Sequence, residues 1–203
     1  MRTQTRSNGR TGRPRGFDED EALEAAMRVF WEKSYEGATL ADLTEAMGIN
    51  RSSMFAAFGN KEALFKLAVS RYANGPMRYL REAMQQPTFR GAVEAALRGT
   101  VEFLSKPGNP RGCLSIQGAL ACGTDAEPVK EAMIEWRKRG EANLTKRVQQ
   151  AQADGELDRS INAADYARFL STIVNGLGIH AVNGATKPEL NGIVEINLKL
   201  MGY

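Results

Sequence analysis

Apolar residues recur along this chain at helical spacing, and no run alternates as a strand would. The pattern is most informative from Gly37 to Phe65, GATLADLTEAMGINRSSMFAAFGNKEALF. Leu40, Leu43 and Met47 fall at i, i+3 and i+7 and line one face of a helix. Thr39 stands at its N-cap, with Asp42 three residues on as the other half of a capping-box-like pair. Gly48 stops the helix, because glycine takes the left-handed conformation without a Cβ clash. Ile49 plugs the inside of the corner. Asn50 then caps a second helix from Arg51 to about Ala57, with Met54, Phe55 and Phe58 as its bulky positions. Gly59 and Asn60 break it, and Lys61 opens the next. Helix, glycine-containing turn, helix predicts a helix-turn-helix, whose second helix enters a DNA major groove.

The flanking pattern is helical throughout. A first helix is expected from Asp18 to Lys33, its opening acids complementing the helix dipole and Ala22, Ala26, Val29 and Phe30 facing inward. Glu62 to Asn74 follows the helix-turn-helix, with Leu64, Leu67, Ala68 and Tyr72 inward, and Gly75-Pro76 breaks it. Further helical pieces cover residues 77–84, 89–105 and 113–121, the last after the loop Lys106-Pro107-Gly108-Asn109-Pro110-Arg111-Gly112. The longest spans residues 127–154, striped by Val129, Met133, Trp136, Leu144, Val148 and Ala151. Two strongly apolar helices, residues 163–183 and 188–201, close the chain. The expectation is an all-α protein of about nine helices. It divides into an arm (1–16), a helix-turn-helix domain (17–62) and a larger helical domain (63–203).

Charge sharpens this picture. The chain of 203 residues carries +3, but Arg2, Arg6, Arg10, Arg13 and Arg15 fall in residues 1–16 with no acid, so the remainder carries −2. That arm, rich in glycine, cannot bury enough apolar surface to fold alone. It is either a solvated tail or, beside a helix-turn-helix, a minor-groove or phosphate contact through residues such as Arg13 and Arg15. No run reaches the roughly 18–20 apolar residues of a membrane span. No apolar segment follows the N-terminal arginines, so a signal peptide is not expected and a cytoplasmic protein is.

SSMFAAFGNKEALF, preceded by TLADLTEAMGINR and by GFDEDEALEAAMRVFWEKSYEGAT, resembles the DNA-binding half of TetR-family transcriptional regulators over about Gly16 to Leu67. The resemblance implies a homodimer on a near-palindromic double-stranded operator, acting as a repressor that a small-molecule effector releases. It also implies that the last two helices of each subunit pair into a four-helix bundle. Leu170, Val174, Leu177, Ala181, Leu190, Ile193 and Val194 are then interface residues; the alternative is plain core. Thr39 and Lys61 resemble positions that hold phosphates. Phe55 departs from the family, which usually has a tyrosine there whose phenol bonds a phosphate.

Candidate contacts follow from the first turn of the second helix. The Arg51 fork can bridge O6 and N7 of a guanine, or pair with a phosphate. Ser52 and Ser53, next to the capping Asn50, can reach bases, phosphates or their own helix's free N–H groups. Ala56 and Ala57 leave room for a thymine methyl. In the larger domain Phe103, Met133, Trp136, Phe169 and Ile173, with His180, are candidate ligand walls, although such residues at helical spacing also serve as core. Cys113, after Arg111-Gly112 and at an expected helix start, has the setting of a stabilised thiolate, or of a small buried hydrophobe, with Cys122 nine residues on. A thiol-based redox or electrophile sensor is therefore one alternative, and an effector-independent architectural DNA-binding protein another. Enzyme chemistry is not indicated. The one histidine lies in an apolar helix, and no metal-ligand spacing, phosphate loop or serine-triad motif occurs. No cofactor, metal or catalytic residue is expected.

Overall fold

The computed structural model describes residues 16–120, 123 and 126–202. Among them are ten α-helices and no strand: α1 (Glu19–Gly37), α2 (Leu40–Met47), α3 (Arg51–Phe58), α4 (Lys61–Asn74), α5 (Arg78–Ala83), α6 (Phe89–Leu104), α7 (Leu114–Gln117), α8 (Glu127–Ala153), α9 (Ala163–Val182) and α10 (Lys187–Leu200). The piece after Gly75-Pro76 stands as a helix of its own, α5, which brings the count above the nine expected.

Local chemistry accounts for the first four helices. Asp18 caps α1, accepting from the backbone N–H groups of Asp20 and Glu21. Thr39 and Asp42 form a complete capping box at α2. Gly48 turns the chain at φ 63°, where a side chain would be strained. Asn50 caps α3 and Asn60 caps α4. Ala26, Met27, Phe30, Trp31, Leu43, Met54, Leu64, Phe65 and Ala68 are buried together as the core of this unit. Arg71 on α4 ties it to α1 through Glu24 (2.7 Å) and Asp20 (3.1 Å).

Two expectations change here. α1 runs past Lys33 to Gly37, but Ser34 breaks its regularity at φ 60° and ψ 179°. The Tyr35 N–H leaves the helix and donates to the Gly118 carbonyl, 2.8 Å away. Leu67, expected to face inward, is 43% exposed. α4 is gripped by α1 on one side and by α7 and α8 on the other. Leu64, Phe65, Ala68, Val69 and Tyr72 together fill that double-sided stripe, and Leu67 falls outside it.

The larger unit packs α9 and α10 on α6 and α8. Phe89, Val93, Leu97, Val101, Val148, Ala167 and Leu198 form its core. Of the seven residues expected at a subunit interface, Leu170, Leu177, Ala181, Leu190 and Val194 are buried in this same core within one chain. Val174 and Ile193 are partly buried against it. Much of the apolar stripe of each helix is thus taken up within its own subunit. The opposite faces still carry Phe169, Ile179, Val182, Ile196 and Leu200, all exposed.

The α2 N-terminus is held electrostatically as well. Lys33 Nζ lies 2.7 Å from Asp42 Oδ1, and the Thr39 N–H and hydroxyl donate to Oδ2. The Lys33 ammonium first, then the Thr39 amide and hydroxyl, pull the Asp42 carboxyl from 3.8 to about 2. A lowered folded-state value means the contribution is complete above pH 3.8 and is lost as the pH falls through about 2. An NMR titration of the Asp42 carboxyl carbon should therefore show a midpoint near 2. A midpoint near 3.8 would show that the Lys33 and Thr39 bonds do not form in solution.

Candidate nucleic-acid interface and adjoining cavity

The recognition helix is α3, and its first turn faces outward. Arg51 and Ser52 are exposed and Ser53 is half-buried. Asn50 Oδ1 accepts from the Ser53 N–H at 2.8 Å and from the Ser52 hydroxyl at 2.7 Å. Of the readings open for the serines, the structure shows the Ser53 amide and the Ser52 hydroxyl proton engaged in capping α3. The lone pairs of Ser52 Oγ remain to accept. The Arg51 guanidinium lies 5.9 Å from the centroid of the Phe55 ring, one helical turn on. Phe55 is 42% exposed, so its ring serves as a platform for that cation where a tyrosine would carry a phenol. Ala56 is exposed beside it, whereas Ala57 packs on the core and is turned from the groove side.

Thr39 and Lys61 stand at the starts of α2 and α4. The Thr39 hydroxyl accepts from the Asp42 N–H and donates to the Asp42 carboxylate, which orients it. Lys61 Nζ sits 4.5 Å over the Tyr35 ring, and that contact fixes a cation at the first turn of α4. The i, i+4 spacing of Arg51 and Phe55 is visible in the sequence; the pairing of Lys61 with Tyr35 is not, since it joins separate helices. Arg13, Arg15 and Cys122 lie outside the described residues.

Behind this face a half-open cavity of about 1280 Å³ lies among α4 to α9. Phe103, Met133 and Trp136 line it. Phe169 does not: it is 46% exposed on the outer face of α9. His180 is exposed and Ile173 packs against the second core, so neither lines the cavity. α9 presents Leu170, Val174 and Gly178 instead, a four-residue spacing that rotates residues 169, 173 and 180 away. A Cβ at Gly178 would come within 2.8 Å of Ile116 Cδ1, so α7 sits directly on α9 there. Arg137, four residues after Met133, also lines the cavity, and the apolar pattern gave no reason to select it.

Cys113 opens α7 on the cavity wall. Its Sγ is 2.8 Å from Ser115 Oγ and accepts from the Tyr72 hydroxyl at 3.3 Å. The thiol is buried, and α7 is a single turn. Arg111 directs its guanidinium to Gly184 at the end of α9. The cationic setting expected for this thiol is thus replaced by neutral hydroxyls. Burial, then the neighbouring Cys113, pushes the Tyr72 phenol well above its ordinary range, so it stays a donor.

The cavity and the DNA-facing unit meet at Trp31. Its Nε1–H donates to the Gly112 carbonyl at 3.0 Å, and its own carbonyl accepts from Gln117 Nε2 at 3.2 Å. The ring stacks on Phe103 at 5.4 Å and meets Tyr72 edge-on at 4.8 Å. The Tyr35 bond to Gly118 and a Gly123 N–H bond to Glu36 (2.9 Å) extend the seam. α1 is therefore fastened along its last turns to the loop and helix that wall the cavity.

An outward recognition helix with a cationic first turn, backed by a helical body around a cavity, defines a helix-turn-helix DNA-binding transcriptional regulator, not an enzyme. Residues 22–68 match the family described as bacterial regulatory proteins, tetR family, and residues 78–186 match the tetracyclin repressor-like C-terminal domain. The chain belongs to the TetR family. It is similar to the HTH-type transcriptional repressor ComR of Escherichia coli (strain K12), 29% identical over 191 residues that cover 93% of this chain and 91% of that one. The repressor BdcR of the same strain is 25% identical over 181 residues, covering 88% and 86%. Among solved structures, the TetR-family regulator CifR, a cysteine mutant complexed with 26 bp double-strand operator DNA, superposes with a TM-score of 0.88. The identity is 38% over 92% of this chain and 98% of that one. No described helix is long and apolar enough to cross a membrane.

Proposed function

We propose that this protein is a cytoplasmic, homodimeric repressor that binds a near-palindromic operator and leaves it when a small molecule fills the cavity. The observation that carries this reading is the Trp31 seam, which joins the cavity wall to the helix that packs behind the recognition unit. α4 offers a second connection: it starts at Lys61 on the DNA side, and its Phe65 and Val69 line the cavity. A ligand that displaces α7 or α4 moves the two recognition helices relative to each other. They must stay about one turn of DNA apart, or a multiple of it, to reach successive grooves. In this reading the DNA-binding unit (17–62) passes into the effector unit (63–203) within α4.

In this reading Arg51 contacts base edges, while Thr39, Lys61 and the N-terminal arginines Arg13 and Arg15 hold phosphates. Asn50 acts by ordering the first turn of α3, and Phe55 and Ala56 form the apolar floor against sugars or a thymine methyl. A thiol-based reading has one observation in its favour: Cys113 stands on the cavity wall, where an entering electrophile would meet it. The architectural reading leaves the cavity without a role.

Operator binding measured by fluorescence anisotropy tests the DNA reading. Arg51→Ala should cost about 1–3 kcal/mol and relax preference at one base pair in each half-site. Equal weakening on every sequence would make Arg51 a phosphate contact instead. The dimer is tested on the outer faces of α9 and α10. Ile196→Glu with Leu200→Glu should give a folded monomer by light scattering, since both side chains are exposed within one subunit. Leu177→Glu should unfold the subunit rather than divide the dimer, because burying an unpaired charge costs several kcal/mol. A double variant that remains dimeric would move the interface off these faces.

A further inference from the structure

We propose that the cavity takes an organic anion, a molecule with an apolar body and one carboxylate that pairs with Arg137. The inference rests on the effector reading of the cavity and names the chemistry of what enters it.

Arg137 stands on α8 and lines the cavity, half-buried. One Nη1–H donates to the Ser115 carbonyl at 3.0 Å. It forms no ion pair with any described residue, although its side chain carries five N–H donors. Burial alone lowers its affinity for its proton, with no carboxylate to offset that. A half-buried cation with one neutral partner is poorly compensated, and a carboxylate meeting its remaining N–H groups in a fork would correct that.

The other four basic residues on the wall, Lys66, Arg81, Lys138 and Arg139, are exposed, where water solvates the charge, whereas Arg137 is half-buried. Lys66 pairs with Glu62 at 2.5 Å and Lys138 with Glu135 at 2.9 Å. Arg81 donates to Asn74 at 3.2 Å. Glu141 is the one carboxylate among the residues lining the cavity, and Arg168 neutralises it at 3.1 Å. Five basic residues against one acid give the wall a positive balance. Two of the wall's hydroxyls are engaged with each other: Tyr79 donates to Thr100, which donates to the Ala96 carbonyl. Charge recognition therefore falls on Arg137, and Phe103, Met133, Trp136 and Leu170 supply the apolar contact. The same guanidinium holds the Ser115 carbonyl of α7, so a carboxylate competing for it acts on the segment fastened to Trp31.

The test uses the full chain and two matched pairs of probes, decanoate with decan-1-ol and 4-phenylbutyrate with 4-phenylbutan-1-ol. Binding is read by tryptophan fluorescence and by calorimetry, and operator affinity is measured alongside. At least one carboxylate should bind roughly tenfold or more tighter than its alcohol. Arg137→Gln should remove that difference and leave the alcohol unchanged, Arg137→Lys should retain part of it, and Lys146→Gln, exposed on the same helix outside the cavity, should alter neither. Should Arg137→Gln fail to fold, the wild-type preference and its partial retention in Arg137→Lys decide. Alcohols binding as tightly as carboxylates, a preference that survives Arg137→Gln, or no binding by either pair would overturn the inference. A carboxylate that binds through Arg137 yet leaves operator affinity unchanged would sink the effector reading alone. Alcohols that bind equally well and release the operator would sink the anion and keep the effector.

Discussion

The indole of Trp31 is the joint on which the two halves of this molecule depend. It is buried, it stacks on Phe103 from the larger unit, and both its N–H and its backbone carbonyl are bonded to the segment from Gly112 to Gln117. Those two bonds satisfy groups that would otherwise be unpaired away from water, where each missing partner costs about 1–3 kcal/mol. The backbone next to the joint is under strain. Ser34, at φ 60° and ψ 179°, occupies a region that a side chain disfavours by about 1–3 kcal/mol, and the Tyr35 bond to Gly118 holds it there. A segment held off its preferred geometry by a neighbour is poised to move when that neighbour moves.

What that neighbour does is set by the cavity. α7 is one turn long, with Cys113 at its start on the cavity wall, Arg137 holding Ser115 and Gly178 of α9 beneath Ile116. It is a small element placed between a space that can be filled and a helix that backs the recognition unit. A ligand need only prefer one placement of α7 by about 1–3 kcal/mol to shift the DNA-competent population by roughly 5–150-fold. By linkage, operator DNA must then weaken ligand binding by the same factor as the ligand weakens DNA binding.

The DNA-facing unit was legible in the sequence because its signals are local. Thr39 with Asp42, Gly48, Asn50 and Asn60 are caps and turns whose chemistry is complete within four residues, and each stands where its type requires. The α9–α10 hairpin was harder. Its stripe of Leu170, Leu177, Leu190 and Val194 is equally compatible with one subunit's core or with two subunits' interface, and only packing against α6 and α8 decides. Phe169 and His180 show the same difficulty: a helix's phase against its neighbours determines which residues see a cavity. Arg137 carried no signal in an apolar pattern, since its meaning lies in the carboxylate partner it lacks among the described residues. The long-range bonds of Trp31 and Tyr35 join residues about eighty apart. Separations of that order leave no trace in local periodicity.

The most direct test of coupling between the two units is hydrogen exchange with and without operator duplex. DNA touches only the N-terminal arm, α2, α3 and the start of α4 in this account. The Trp31 indole N–H, the Tyr35 amide and the amides of Ile116, Gln117 and Gly118 should nonetheless exchange more slowly in the complex, because DNA and the cavity bias the same joint. Protection confined to the arm, α2, α3 and the first turn of α4, with the joint unchanged, would contradict it.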